Sequence, residues 1–393
     1  MNLNYSDDQS MLRESVQRFL REKHSFDHFR RIEAAGKAHD VELWRSFAHF
    51  GWLSVSISEA HGGLGGGAVE SAIVSEALGS ALVLEPYVPS AVLAGGLVDQ
   101  LGTEAQCDAF LRPLMEGTAL MAFAHDERAA GHDLSRIATT AVRTDSGYRI
   151  DGAKVMVLGG VSADTFLVTA KVGSSADGSS KIGVFIVPAN AKGVLLSSFR
   201  TADGGEAADV QLNGVIIDAN ALLGGRDDVS DAVLLALDLA AAAMCWDAVG
   251  AMDALLAATV AFTKQRVQFS KPLSSFQALQ HRMAEMAMKC TEARATALLA
   301  SLSLEAPTAM RVRAVSGAKA KIGRVSRHVA QESIQLHGAM GFSDELPVGW
   351  WFKRLFVFEN IYGSTSEHLE RYRQVVTQPA LQADSLLRSP AAP

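Results

Sequence analysis

Apolar positions in the first part of the chain recur with helical spacing, with Leu12, Val16, Phe19 and Leu20 on one face. Ser6-Asp-Asp-Gln-Ser10 precedes them and supplies a helix cap. Two glycine-marked connections, Gly51-Trp-Leu-Ser54 and Ser58-Glu-Ala-His-Gly-Gly-Leu-Gly65, punctuate this region, as tight turns needing positive φ do. From about residue 119 the period changes. Short β-branched runs at 137–142, 148–152, 165–169, 182–188 and 215–217 alternate with Asp145-Ser-Gly147, Asp151-Gly152, Asp177-Gly178 and Asn213-Gly214, which read as turns. No helical stretch separates these runs, so an antiparallel β domain is expected rather than βαβ units. From about residue 226 long alanine-rich helical patterns return, broken at Lys271-Pro272, Ala306-Pro307 and Glu345-Leu-Pro347 into four or five helices of a bundle. The expected class is α+β. Its domains are an all-α domain at 1–118, a β domain at 119–225 and a four-helix-bundle domain at 226–393, ending in a frayed tail at 386–393.

Composition narrows this picture. The 393 residues are 48% hydrophobic and 20% charged, with net charge −7. That balance suits a globular protein and argues against a nucleic-acid or anionic-membrane surface. The apolar stretch 232–245 is interrupted by Asp238 and followed by Asp247, which favours a buried helix in an oligomer core over a membrane span. The amino terminus lacks a basic n-region and an apolar h-region. Cys107, Cys245 and Cys290 have neither CxxC nor paired spacing, so no metal site or disulfide framework is expected, and a cytoplasmic location follows.

Arg266-Val-Gln-Phe-Ser270, Phe276-Gln277, Gln335-Leu-His-Gly-Ala-Met-Gly341 and Ile361-Tyr-Gly-Ser-Thr-Ser-Glu367 occur in that order. Gly51-Trp-Leu53, His61-Gly-Gly-Leu-Gly65 and Gly131-His-Asp133 precede them. Together these motifs resemble the acyl-CoA dehydrogenase family over nearly the whole chain. Among its members they resemble pimeloyl-CoA dehydrogenase small subunits and the heteromeric enzymes of steroid side-chain degradation. The resemblance implies the acyl-CoA dehydrogenase fold, FAD as cofactor and an acyl-CoA substrate. It also implies a homo- or hetero-tetramer and electron-transfer flavoprotein as acceptor, with no nucleic acid, membrane or metal.

The resemblance also implies site residues. Arg266 would reach the diphosphate of an FAD held mainly by a neighbouring subunit, since arginine offers a permanent charge and a planar fork. Gln268, Phe269, Phe276 and Gln277 would touch the same half of the cofactor. Gln335, Gly338 and Ala339 match a segment facing adenosine, with Ala339 where the family has glycine. Thr365 and Glu367 match a pattern beside the adenine. Residue chemistry alone also allows helix capping by Arg266, Gly338, Ser364 or Thr365, and core packing by Phe269 and Phe276.

At the flavin-ring end the sequence departs from the family. Asp126 replaces a threonine, His132 a serine, Met156 an aromatic cover and Leu158 a hydroxyl donor. The family's catalytic glutamate, a carboxylate whose burial suits it to remove an α-proton, follows the tyrosine. Here that position is Gly363, the alternative position is Ala240, and the usual arginine partner is Ala241. Asp126, Glu359 and Asp247 remain as replacement bases. The leading expectation is the subunit of a heteromeric acyl-CoA dehydrogenase that lacks the catalytic glutamate. The alternatives are a homomeric flavoprotein of the same fold with monooxygenase-like chemistry and a non-catalytic homologue.

Overall fold

The computed structural model describes residues 4–37, 39–131, 133–173 and 181–377. His132, the Asp177-Gly178 turn and the tail at 386–393 lie outside the described residues. The chain forms two compact units. One comprises residues 1–75 and 83–240, the other 76–82 and 241–393.

The first unit opens with helices α1 (Asp7–Lys23), α2 (Phe26–Ala34) and α3 (Val41–His49). Ser6 and Gln9 close a capping box on α1, and Val16 and Leu20 are buried, as the apolar spacing anticipates. Helix α4 (Ala68–Ser80) follows, then a π-helical stretch at Tyr87–Gly95, α5 (Gly96–Leu101) and α6 (Glu104–Met115). In the glycine loop Gly62 and Gly65 take φ of +86° and +65°.

The sheet contains β1 (Met121–Ala124), β2 (Thr140–Thr144), β3 (Gly147–Leu158), β4 (Thr165–Val172), β5 (Lys181–Pro188), β6 (Val194–Arg200) and β7 (Glu206–Asp218). It is mixed, which amends the antiparallel reading. β1 and β2 both run parallel to β4, while the other pairings are antiparallel. The chain reaches β4 from β1 through the β2–β3 hairpin, so β4 returns in the direction of β1. The core beneath the sheet includes Tyr148, Ile150, Phe166, Phe185 and Val210.

Two expected turns are also corrected. Asp151-Gly152 lies inside β3 and Asn213-Gly214 inside β7. They face one another where the register shifts between Ile150 and Gly152, and the Gly214 N–H donates to Asp151 Oδ1 at 2.8 Å. They form a bulge, not chain reversals, because a glycine in a strand relieves crowding as well as it closes a turn. A Cβ on Gly152 would stand 2.3 Å from Thr139 Oγ1.

The 36-residue helix α7 (Ser230–Gln265) begins in the first unit and continues into the second. It is the one described helix long and apolar enough to cross a bilayer, but 67% of its most apolar window is buried inside the protein. The second unit adds the short strands β8 (Val267–Gln268) and β9 (Lys271–Pro272), then α8 (Gln277–Leu302), α9 (Thr308–His337), α10 (Val348–Phe358) and α11 (Thr365–Thr377). The last turn of α4 belongs to this unit and crosses α7 closely. A Cβ on Gly79 would lie 2.0 Å from the Asp247 carbonyl, and one on Gly250 1.9 Å from that of Glu76.

Candidate functional site

In the second unit, α7 ends where the Arg266 N–H bonds to the Phe262 carbonyl, and the Arg266 carbonyl accepts from Leu273 N at 2.9 Å. Between them β8 and β9 pair around Phe269 and Ser270, whose φ values are +53° and +65°. A two-residue hairpin turn with both central residues left-handed normally carries Asn-Gly; here it carries two residues with side chains. Phe269 is 86% exposed, so it does not pack in the core. Its ring meets Phe276 edge-on at 6.2 Å, and Lys271 Nζ sits 4.7 Å over the Phe276 ring. Phe262 stacks on His337 at 4.4 Å, which brings the ends of α7 and α9 together.

Around these helix ends four polar side chains are unspent. Arg266, Gln268, Gln277 and Gln335 are exposed, and none has a side-chain hydrogen bond or ion pair among the described residues. Gly338 caps α9 at φ +60°, with open space where its Cβ would be, and exposed Ala339 follows. A guanidinium, three amides and an open glycine make a donor set that fits a diphosphate and an adenosine. Thr365 and Glu367 are committed locally. Ser364 caps α11 by accepting from Glu367 N, Glu367 Oε2 accepts from Ser364 N at 2.8 Å, and Thr365 Oγ1 lies 3.5 Å from Glu359 Oε1.

The position expected for the base is filled rather than vacant. Gly363 is buried at φ +104°, after Tyr362 at φ +52°. A Cβ there would stand 2.6 Å from Nε2 of His368. That buried imidazole is itself committed: Nε2 donates to the Tyr362 carbonyl at 2.8 Å and Nδ1 pairs with Ser316 Oγ at 3.2 Å. Beneath it, buried Lys319 donates to the carbonyls of Phe358 (3.0 Å), Glu359 (3.4 Å) and Gly363 (2.8 Å). Burial pushes the Lys319 ammonium down to about 8. Ala240 and Ala241 are fully buried. Two of the replacement carboxylates are occupied. Asp247 forms a two-pronged pair with Arg354 at 2.8 and 2.6 Å, and Glu359 forms one with Arg327.

In the first unit, the ring-end substitutions sit on a rigid base. Lys154 Nζ is fully buried and donates to Glu127 (2.8 Å), Thr169 (3.0 Å) and the His125 carbonyl (3.1 Å). Burial lowers its ammonium to about 8. Burial presses the Glu127 carboxyl upward, but the Lys154 charge and hydrogen bonds from Lys154, Thr139 and Ala138 outweigh it and hold it below the usual carboxylate range. On this base, Val155 N–H donates to the Asp126 carbonyl and Met156 N–H to Asp209 Oδ1. Met156 lies in a register shift of β3 at φ +56° and is 38% exposed. Asp126 contributes a carboxylate and Met156 and Leu158 two apolar side chains, and both N–H groups at 155 and 156 are already used. A flavin pyrimidine edge presents two carbonyls and one N–H; these side chains offer no donor to the carbonyls and so do not fit that edge.

Sequence reading missed His368, Lys319 and Lys154. The available signal was a lysine or histidine at a core-facing helical or strand position, as at Lys319 between Val315 and Ile322.

Three family models match the chain: acyl-CoA dehydrogenase N-terminal domain at residues 6–118, middle domain at 122–215 and C-terminal domain at 231–376. A probable acyl-CoA dehydrogenase of Bacillus subtilis (strain 168), YngJ, is 30% identical over 88% of this chain and 92% of its own length. In the ChsE4-ChsE5 complex of Mycobacterium tuberculosis one chain superposes with a TM-score of 0.86 at 27% identity, covering 96% of this chain and all of that one. A chain in the structure of an electron transferring flavoprotein of Acidaminococcus fermentans gives a TM-score of 0.88 at 25% identity, with coverage of 96% and 100%.

Proposed function

The chain belongs to the acyl-CoA dehydrogenase family of FAD-dependent oxidoreductases, and we propose that within it this chain is the subunit lacking the catalytic glutamate in a heteromeric enzyme. One contrast carries this reading. The donors at the α7, α8 and α9 ends are unspent, while the base position at Gly363 is closed by His368. A related chain would supply the carboxylate and the intact ring pocket, and together they would desaturate an acyl-CoA to the trans-2-enoyl-CoA.

In this division of labour Arg266 holds the diphosphate of the partner's FAD. Gln268, Gln277 and Gln335 bond its adenosine side, and Phe269 and Phe276 exclude water from it. Gly338 and Ala339 let the backbone approach, while Thr365 and Glu367 fix the start of α11 beside it. When bound, FAD supplies the hydride acceptor. The proposed assembly is a cytoplasmic tetramer of chains with domains at 1–118, 119–225 and 226–393, passing electrons to an electron-transfer flavoprotein. The likenesses to a two-component complex and to a chain of an electron transferring flavoprotein structure support both partnerships. Three buried free cysteines suit a reducing compartment.

The test is the flavin-to-subunit ratio of the chain purified alone and after co-expression with a related family member that carries the glutamate. One FAD per two subunits in the complex is expected. A lone chain with one FAD per subunit that oxidises an acyl-CoA overturns the reading.

A further inference from the structure

Helix α9 ends on a histidine that uses one of its two nitrogens. His337 is 5% exposed, and its Nδ1 lies 2.8 Å from the Ser333 carbonyl. A carbonyl only accepts, so Nδ1 carries the proton and Nε2 the lone pair. Nε2 has no hydrogen bond or ion pair among the described residues. Burial holds the ring's pKa below its ordinary value, against the pull of that carbonyl, so the imidazole is neutral at pH 7. A polar atom on so buried a side chain rarely goes without a partner.

The Ser333 bond and a stack on Phe262, with centroids 4.4 Å and planes 27° apart, lock the ring. Phe262 lies one helical turn before Arg266, whose N–H bonds to its carbonyl, so the imidazole packs on the part of α7 that ends in the guanidinium. Along the chain His337 sits between exposed Gln335 and the open glycine Gly338. The turn Gly338–Phe342 then exposes Met340 (45%) and Phe342 (80%), apolar surface suited to a flat ring.

The other polar groups here do not tell one purine from another. Arg266 only donates, and an exposed glutamine turns over to offer either its oxygen or its nitrogen to a base edge. The locked imidazole lacks that freedom, because Nε2 only accepts. A 6-amino purine brings an N–H to such an acceptor; a 6-oxo purine brings a second acceptor. A site built around a fixed partner rejects a ligand that leaves it unpaired.

We propose that His337 Nε2 accepts a hydrogen bond from the exocyclic amine of the FAD adenine and so selects an adenine dinucleotide. This rests on the reading above, in which the α7 and α9 ends receive the partner's cofactor, and it adds the acceptor that Arg266 cannot supply.

The experiment compares FAD with its deamino analogue, in which hypoxanthine replaces adenine, on the complex with the related glutamate-bearing chain. Dissociation constants are measured by dialysis, with the flavin-to-subunit ratio and the urea midpoint in parallel. The unaltered complex should hold FAD about tenfold more tightly than the analogue. His337→Phe keeps a ring against Phe262 and removes both nitrogens; it should bring the two constants within about twofold. His337→Gln, whose amide accepts or donates, should also abolish the preference while retaining both dinucleotides. The first comparison needs no substitution, so it decides even if a variant misfolds. Equal retention by the unaltered complex overturns the proposal, as does a preference that survives His337→Phe. Either result with one FAD per two subunits leaves the subunit assignment standing; failure to form any complex rejects both.

Discussion

Gly363→Ala tests whether the base position is closed. The substitution adds one methyl group to a residue at φ +104°. Holding a residue with a side chain in that sparsely populated region costs about 1–3 kcal/mol. The new Cβ would also stand 2.6 Å from His368 Nε2 and 2.9 Å from its Cδ2, well inside ordinary contact. Forcing a buried ring to move costs about 1–3 kcal/mol more. The combined loss, about 2–6 kcal/mol, is a large part of the 5–15 kcal/mol that typically stabilises a folded protein.

The two terms separate in a double-mutant cycle. His368→Ala alone removes the partner of Ser316 and of the Tyr362 carbonyl and costs about 2–5 kcal/mol. In that background Gly363→Ala no longer meets the imidazole and retains only the backbone strain. Urea unfolding of the four proteins should therefore give a coupling of about 1–3 kcal/mol, with the double variant more stable than the sum of the singles predicts. A coupling within about 0.5 kcal/mol of zero would show that His368 does not occupy the space beside Gly363. Residue 363 would then have room for a side chain.

Three further outcomes follow from the same geometry. Lys154→Met should cost about 3–5 kcal/mol at pH 7 by leaving Glu127 buried without its cation. It should also invert the acid limb. With its pKa depressed in the fold, Glu127 contributes stability above the unfolded carboxylate value and loses it as pH falls through the folded value. Without Lys154 burial raises that pKa, so the carboxyl favours folding at low pH, as urea midpoints between pH 4 and 7 would show. Asp247→Asn should destabilise by about 3–5 kcal/mol, because Arg354 loses its buried carboxylate; lost turnover with unchanged stability would instead make Asp247 a base. In the assembled enzyme Arg266→Ala should remove a charge-assisted contact of about 1.5–3 kcal/mol, weakening flavin retention roughly 10–150-fold in a dialysis titration. Unchanged retention would remove Arg266 from the cofactor site.

The sequence shows what is local and hides what is long-range. The α1 cap at Ser6, the helical stripe through Val16 and Leu20 and the two-residue turn before Gly147 are set by neighbours a few residues apart, and all appear in the structure. The parallel pairing of β1 and β2 with β4 is not, since strand order follows from a connection and not from a period. Asp151-Gly152 and Asn213-Gly214 misled because the same dipeptides serve turns and bulges. At the candidate site Gly363 could be read only as a missing side chain. That His368, five residues later, fills the space depends on how α11 lies on α9 through Ser316, and that Lys319 holds the loop from below depends on a contact 44 residues away.

Under the proposed reading, those long-range contacts change what a glycine at residue 363 means. A missing carboxylate in an otherwise unaltered loop would be one substitution from repair. Here the loop has a left-handed Tyr362, a glycine with no room for Cβ, a histidine using both nitrogens and a buried lysine bound to three carbonyls. Placing any side chain at residue 363 would require dismantling interactions that now stabilise the fold. The hairpin at Phe269-Ser270 points the other way. Two side-chain-bearing residues in the left-handed region cost about 1–2 kcal/mol each, and they present a phenylalanine almost wholly to solvent. Strain of that kind clusters at active sites, ligand clamps and switch regions. The Gly363 loop is packed into itself while the hairpin residue Phe269 stays exposed, and the proposed subunit role rests on that contrast.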